Sequence, residues 1–308
     1  MARTALLFPG QGAQSVGMGK DVAQASPAAA RVYAQAREIL GWDVAAVCFD
    51  GPKEELDRTA ICQPAILTTS MAILAAAREA RNTELDACDA TAGLSLGEYT
   101  ALVAARAMDF ADALQLVHKR GQFMEDACHQ NPGTMMSIIG LEEGIVEAVC
   151  AQARETGMVV AANYNSPGQV VISGSTEGVA RAAELAREHG AKRALPLTVA
   201  GAFHSPLMEP AALRLQAELA QARIAAPTMT FVANVSAEAV SDPEAIRTLL
   251  ARQVQSPVRW SQSMTWLVKQ GYTRFIEIGP GKVLAGLMKR IAPEAEVVSI
   301  ASADALKG

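Results

Sequence analysis

Residues Gly93-Leu94-Ser95-Leu96-Gly97 spell G-x-S-x-G. In that spacing a serine can stand on a sharp turn between a strand and a helix, its hydroxyl lifted clear of the sheet. The helix that follows would offer backbone N–H groups and the positive end of its dipole to a developing oxyanion. The same five residues also suit a plain strand-to-helix corner, and the pattern alone leaves both readings open. A serine nucleophile needs an acceptor for its proton. The chain has four histidines. His118 and His129 fall on or at the end of one predicted helix. His189 sits at a helix C-terminus, where a cation suits the dipole. His204 lies in the loop "AGAFHSPLM", and loops carry catalytic groups more often than helix faces do. A surface role is the alternative for it. Arg120 interrupts an apolar stripe of Ala113, Leu116, Val117 and Met124 on a predicted helix. A guanidinium there must be paired, either with an internal carboxylate or with a ligand carboxylate held in bidentate fashion.

The Gly-rich segment "FPGQGAQSVGMGK" follows a predicted strand. It fails both phosphate-binding patterns: Gln14 stands where a P-loop needs its first glycine, and Ser15 where a dinucleotide fingerprint needs its third. It could instead offer backbone N–H groups to an oxyanion. Cysteine and histidine never occur at metal-ligand spacing, so neither a metal nor a cofactor is expected.

These residues must be positioned by a chain of 308 residues, enough for one large body with a smaller insert. Its apolar content of 50% against 19% charged supports a substantial core. The net charge of −5 argues against a nucleic-acid partner. Five scattered cysteines without a C-x-x-C pair fit reduced thiols in a reducing compartment. No stretch reads as a membrane span, and the apolar run in "MARTALLFPGQG" is too short for a signal peptide. The expectation is a cytoplasmic protein without a membrane partner.

Strand-like and helix-like segments alternate. "TALLF" reads as a buried strand, and "SPAAARVYAQAREIL" as a helix opened by a Ser-Pro cap. "PAILTTSMAILAAAREA", "SLGEYTALVAARA" and "DFADALQLVHKRGQFMEDA", the last capped by Asp109, read as helices. This alternation predicts an α/β body with a mainly parallel sheet. Between about residues 132 and 200 the order changes to β-α-β-β-α-β. It runs through "TMMSIIGL", a helix ending at Gly157, "MVVAAN" and "QVVISG" joined by the turn cluster "YNSPG", a helix ending at Gly190, and "RALPLTV". That is the ferredoxin-like pattern. The expected division is a body of residues 1–131 and 201–308 with residues 132–200 as an inserted subdomain.

Seven segments taken in order, "FPGQGAQ", "QPAILT", "GLSLGEYTAL", "RGQFM", "NYNSPGQVVISG", "GAFHSPLM" and "EIGPGKVLAGL", resemble the malonyl-CoA:acyl-carrier-protein transacylases of fatty-acid synthesis. The resemblance covers essentially the whole chain. It implies an α/β-hydrolase-like body with a ferredoxin-like insert, and transfer of malonyl from malonyl-CoA to acyl carrier protein. The oligomeric state is open, with a monomer the expectation. It implies Ser95 as the acylated nucleophile and His204 as the base, held by a backbone carbonyl near Gln253 in "RQVQSPVRW". Arg120 would clamp the free carboxylate of malonate, and the N–H groups of Gln11 and Leu96 would form the oxyanion hole. Gln63 and Asn163 match polar positions near the site. Phe203 is the bulky residue that malonyl-selective relatives carry before the histidine, which implies malonyl over methylmalonyl. Leu94 departs from the resemblance, because the family often has histidine immediately before the nucleophile. Three other readings remain: a serine esterase or thioesterase, a non-catalytic carrier-docking module, and a related transacylase of a polyketide or malonate-decarboxylase system.

Overall fold

The computed structural model describes residues 3–80 and 85–307. Residues 1, 2, 81–84 and 308 of the expected body lie outside the described residues. The strands are β1 (Arg3–Phe8), β2 (Cys88–Gly93), β3 (Thr134–Ile139), β4 (Val159–Ser166), β5 (Gln169–Gly174), β6 (Arg193–Pro196), β7 (Thr230–Val232), β8 (Tyr272–Ile278) and β9 (Glu296–Ile300). Five of them form one sheet in the order β7-β2-β1-β8-β9, with every pair parallel. Such a sheet is covered on both faces, which explains why β1 and β2 are almost wholly buried. After β1 the chain adds β2 and β7 on one side, then crosses back to add β8 and β9 on the other. That change of direction opens a crevice at the C-terminal ends of the central strands.

The other four strands form an antiparallel sheet in the order β4-β5-β3-β6. With helices Glu143–Ala153 and Thr176–Glu188 it makes the ferredoxin-like β-α-β-β-α-β unit. Val149, Leu185, Val170 and Ile172 belong to a core cluster of its own. Several predicted limits shift. β4 continues through Tyr164, Asn165 and Ser166, since a register shift at Asn165 lets Tyr164 and Ser166 pair with β5; the turn shrinks to Pro167-Gly168. β6 stops at Pro196, which cannot donate to a ladder. The helix expected to reach Gly157 ends at Ala153, whose carbonyl takes the N–H groups of Thr156 and Gly157 in a turn. Asp109 occupies the N-cap position of helix Phe110–Gln130, but its side chain makes no capping bond.

Helix Thr59–Glu79 starts five residues before Pro64, the position expected to open it. Inside a helix Pro64 cannot donate to the carbonyl of Ala60. Nδ1 of His118 lies 3.3 Å from that oxygen and takes the place of the missing donor. The same helix is long and apolar enough to cross a membrane, with a mean hydropathy of 1.6, which corrects the expectation that no stretch reads as a span. Of its most apolar window, 83% is buried inside the fold. It packs between helices Pro27–Leu40 and Phe110–Gln130. Its buried Gln63, Thr68, Thr69 and Ser70 interrupt the apolar run that a sequence scan looks for. All five cysteines are buried.

Candidate active site

The parallel register sets Phe8 of β1 beside Gly93 of β2, and Ala92 beside Val232 of β7. The three strands therefore deliver their C-terminal ends together, and the chain turns sharply after Gly93. Leu94 N–H donates to the Phe8 carbonyl at 3.0 Å, and Gly97 N–H to the Leu94 carbonyl at 2.9 Å. Ser95 is held at φ 52°, left-handed backbone that costs a non-glycine residue roughly 1–2 kcal/mol. A Cβ on Gly93 would overlap the Gly97 carbonyl, and one on Gly97 would overlap the Phe8 carbonyl. Helix Gly97–Ala104 can start so close to the strand end only because both residues lack side chains. A strained serine between two sterically required glycines has the local geometry of a nucleophile elbow.

Asn234, two residues beyond β7, clamps this turn. Its Oδ1 accepts from Ser95 N–H at 2.7 Å, and its Nδ2 donates to the Gly93 carbonyl at 2.7 Å. Nothing in the spacing of "FVANVS" announces that role.

His204 reaches the serine from the loop before helix Glu209–Gln221. Its Nε2 is 2.8 Å from Ser95 Oγ. Its Nδ1 lies 2.9 Å from the Gln253 carbonyl and 3.2 Å from that of Ser256. Two carbonyls can only accept, so Nδ1 carries the proton and Nε2 faces the hydroxyl as an acceptor. The residues expected near Gln253 thus supply two carbonyls, and Ser256 went unread in the sequence. Burial holds the imidazole down to about 4, and the charge of Arg120 acts in the same direction. At neutral pH the ring is therefore an uncharged base.

Arg120 is almost fully buried on helix Phe110–Gln130. Its Nη1 donates to Gln63 Oε1 at 2.5 Å; its Nη2 donates to Ser95 Oγ at 3.0 Å and to Gln253 Oε1 at 2.9 Å. Its Nε has no hydrogen-bond partner. Among the described residues no carboxylate comes within ion-pair distance of it. The internal salt bridge that would have accounted for this cation is missing, which leaves it equipped to receive a carboxylate from outside.

Ser95, His204 and Arg120 line a cavity of about 200 Å³, and Gln11, Leu96, Asn163 and Phe203 contribute to its wall. Among the described residues the N–H groups of Gln11 and Leu96 have no protein acceptor. Gln63 is not on the wall. It lies wholly buried behind Arg120, with its Nε2 turned to the Met124 sulfur. Leu94 is on the wall and makes that stretch apolar.

The sequence profile of the acyl transferase domain matches residues 5–305. The chain belongs to the acyl transferase family. Among its relatives, the malonyl CoA-acyl carrier protein transacylase of Bacillus subtilis is 44% identical over 308 residues, 100% of this chain and 96% of that protein. The Escherichia coli (strain K12) enzyme of the same name is 45% identical over 291 residues, 94% of this chain and 93% of its own. Solved acyl transferases superpose closely. An acyl carrier protein S-malonyltransferase from Vibrio cholerae, 43% identical, gives a TM-score of 0.94, with 99% of each chain covered. A malonyl-transacylase in complex with its type II PKS acyl-carrier protein, 40% identical, also gives 0.94, covering 99% of this chain and 98% of that one. The family implied by the ordered motifs is the family found.

Proposed function

We propose that this acyl transferase moves a malonyl group from malonyl-CoA to the phosphopantetheine thiol of an acyl carrier protein, by way of an ester on Ser95. The observation that carries the reading is one hydroxyl shared between a neutral imidazole and a buried guanidinium that has no carboxylate of its own.

Ser95 Oγ attacks the thioester carbonyl while its proton passes to His204 Nε2. The new C–O bond leaves negative charge on the former carbonyl oxygen, which the N–H groups of Gln11 and Leu96 receive. The C–S bond then breaks, and the CoA sulfur takes the proton from His204. The carrier thiol runs the same steps in reverse: its proton goes to His204, its sulfur attacks the ester, and Ser95 Oγ leaves and regains a proton. Throughout, Arg120 holds the distal carboxylate. Acetyl would leave that cation unpaired, which is the basis of selectivity.

A hydrolase reading is disfavoured by the same cation, which an esterase does not need, and by an imidazole oriented through carbonyls rather than an acid. The solved complex with a PKS carrier makes a polyketide carrier the second candidate acceptor; transfer assays with the two carrier types separate them. A cytoplasmic monomer without nucleic-acid or membrane partners is part of the proposal, supported by the acidic net charge and by five scattered cysteines without a C-x-x-C pair. Intact-protein mass spectrometry after a brief exposure to malonyl-CoA tests the central step. One malonyl adduct should form and vanish when carrier protein is added. An adduct that persists in Ser95→Ala would sink the mechanism.

A further inference from the structure

Glu98 is a buried carboxylate to which the reaction above gives no task. It lies in the first turn of helix Gly97–Ala104, three residues after Ser95. Its Oε1 accepts from the backbone N–H of Asn234 at 2.5 Å, and its Oε2 accepts from Gln253 Nε2. Each partner holds a different part of the site. The Asn234 side chain pins the Ser95 turn. Gln253 takes the His204 proton with its backbone carbonyl and Arg120 with its Oε1, and gives Nε2 to the Ser95 carbonyl at 2.8 Å.

We propose that Glu98 is a positioning residue that fixes the orientation of the Gln253 amide and through it the aim of Arg120 at the acyl site. The proposal rests on the acyl-transfer reading. An amide has a donor end and an acceptor end, and here both are buried. An ionised carboxylate can only accept and a guanidinium can only donate. Placed between them, Gln253 has one satisfied orientation: Nε2 towards Glu98, Oε1 towards Arg120. A flip would set NH2 against guanidinium and oxygen against carboxylate, two repulsive contacts in a low-dielectric interior. The spacer has a second effect. It brings a negative charge near Arg120 without pairing it directly, so the guanidinium is compensated yet remains free for an incoming carboxylate.

Glu98→Gln tests this. The glutamine oxygen can accept from Asn234 or from Gln253, and its NH2 then faces the other donor, so the Gln253 amide loses its forced orientation. The readout, taken well above pH 7 where Glu98 is ionised, is the ratio of kcat/KM for malonyl-CoA to that for acetyl-CoA. A loss of folded protein lowers both terms and cancels in the ratio. The ratio should narrow about tenfold or more, the scale of a hydrogen bond to a charged group. Gln253→Ala keeps the backbone carbonyl for His204 and should narrow it similarly. In the double variant Glu98→Gln should add little, because both changes act on one contact. A folded Glu98→Gln protein with the wild-type ratio overturns the proposal, as do fully additive effects. Should Glu98→Gln fail to fold, a wild-type ratio in Gln253→Ala overturns it instead. A wild-type chain with no malonyl preference sinks the acyl-transfer reading itself, a result these variants do not mimic.

Discussion

Arg120 Nη2 donates to Ser95 Oγ at 3.0 Å, on the same oxygen that faces His204. In the proposed mechanism the guanidinium that would hold the far end of the substrate therefore touches the nucleophile before substrate arrives. A bound malonyl group must draw Arg120 from the hydroxyl to the carboxylate, and acetyl offers nothing to draw it. Arg120→Ala should lower kcat/KM for malonyl-CoA about 100-fold or more while costing acetyl-CoA far less. Arg120→Lys should recover only part, since an ammonium lacks the planar fork. Competition between the two CoA esters for the serine, read by mass, measures both.

The pH profile should have two acid steps. Burial raises Glu98 from 4.5 to about 7, partly offset by hydrogen bonds from Asn234 and Gln253 and by the Arg120 charge. Arg120 and the phenol of Tyr99 are the titratable groups that face it. As pH falls through about 7, Glu98 takes a proton and can no longer accept from both donors, so activity falls in part. As pH falls through about 4, His204 Nε2 is protonated and activity is lost. Glu98→Gln should show only the lower step. Stability carries a separate sign. A raised carboxyl stabilises the folded state fully below about 4.5, and that contribution is lost as pH rises through about 7. Unfolding midpoints of wild type and Glu98→Gln across that window check it.

Gly93→Ala should destabilise the protein by about 3 kcal/mol, because the added methyl collides with backbone that cannot turn aside. Urea unfolding measures the loss, and the surviving folded fraction should acylate slowly because the Ser95 turn has moved.

Phe203 borders the cavity beside His204. Phe203→Ser should raise acylation by methylmalonyl-CoA relative to malonyl-CoA by about tenfold, the scale of one methyl group in an apolar pocket. Equal rates with both esters in the wild type would refute the selectivity assigned to Phe203.

The elbow was legible because its chemistry is local: two glycines, a serine and a following helix sit within five residues. Arg120 stood out because a charge breaks an apolar stripe. His204 stood apart from the other three histidines by its loop, and the ordered motifs then chose it. Asn234 and Glu98 were not legible, for a physical reason. Asn234 acts on Ser95 from 139 residues away, and Glu98 accepts from donors 136 and 155 residues away. Only the folded sheet makes them neighbours. Glu98 did leave a trace, the one charge on helix Gly97–Ala104, three residues after the serine. In the fold, the parallel sheet and the ferredoxin-like order followed from alternation. The errors fell where one context overrides a local rule: Pro64 tolerated inside a helix because His118 takes over its bond, and β4 prolonged by shifts in register.

The buried cysteines acquire a meaning beside this chemistry. An enzyme that exchanges acyl groups between thiols meets a thioester, a free CoA sulfhydryl and a pantetheine sulfhydryl in each cycle. Any reactive thiol of its own would compete for the acyl group or form mixed disulfides with its products. Burial pushes Cys48, Cys128 and Cys150 up to about 12, and Cys62, next to the Arg120 partner Gln63, is raised as well. Thiolate is the reactive form, so these four sulfurs are silent at neutral pH. These four sulfurs stay out of the thioester exchange, which in the proposed mechanism leaves the oxygen of Ser95 as the acyl group's resting place.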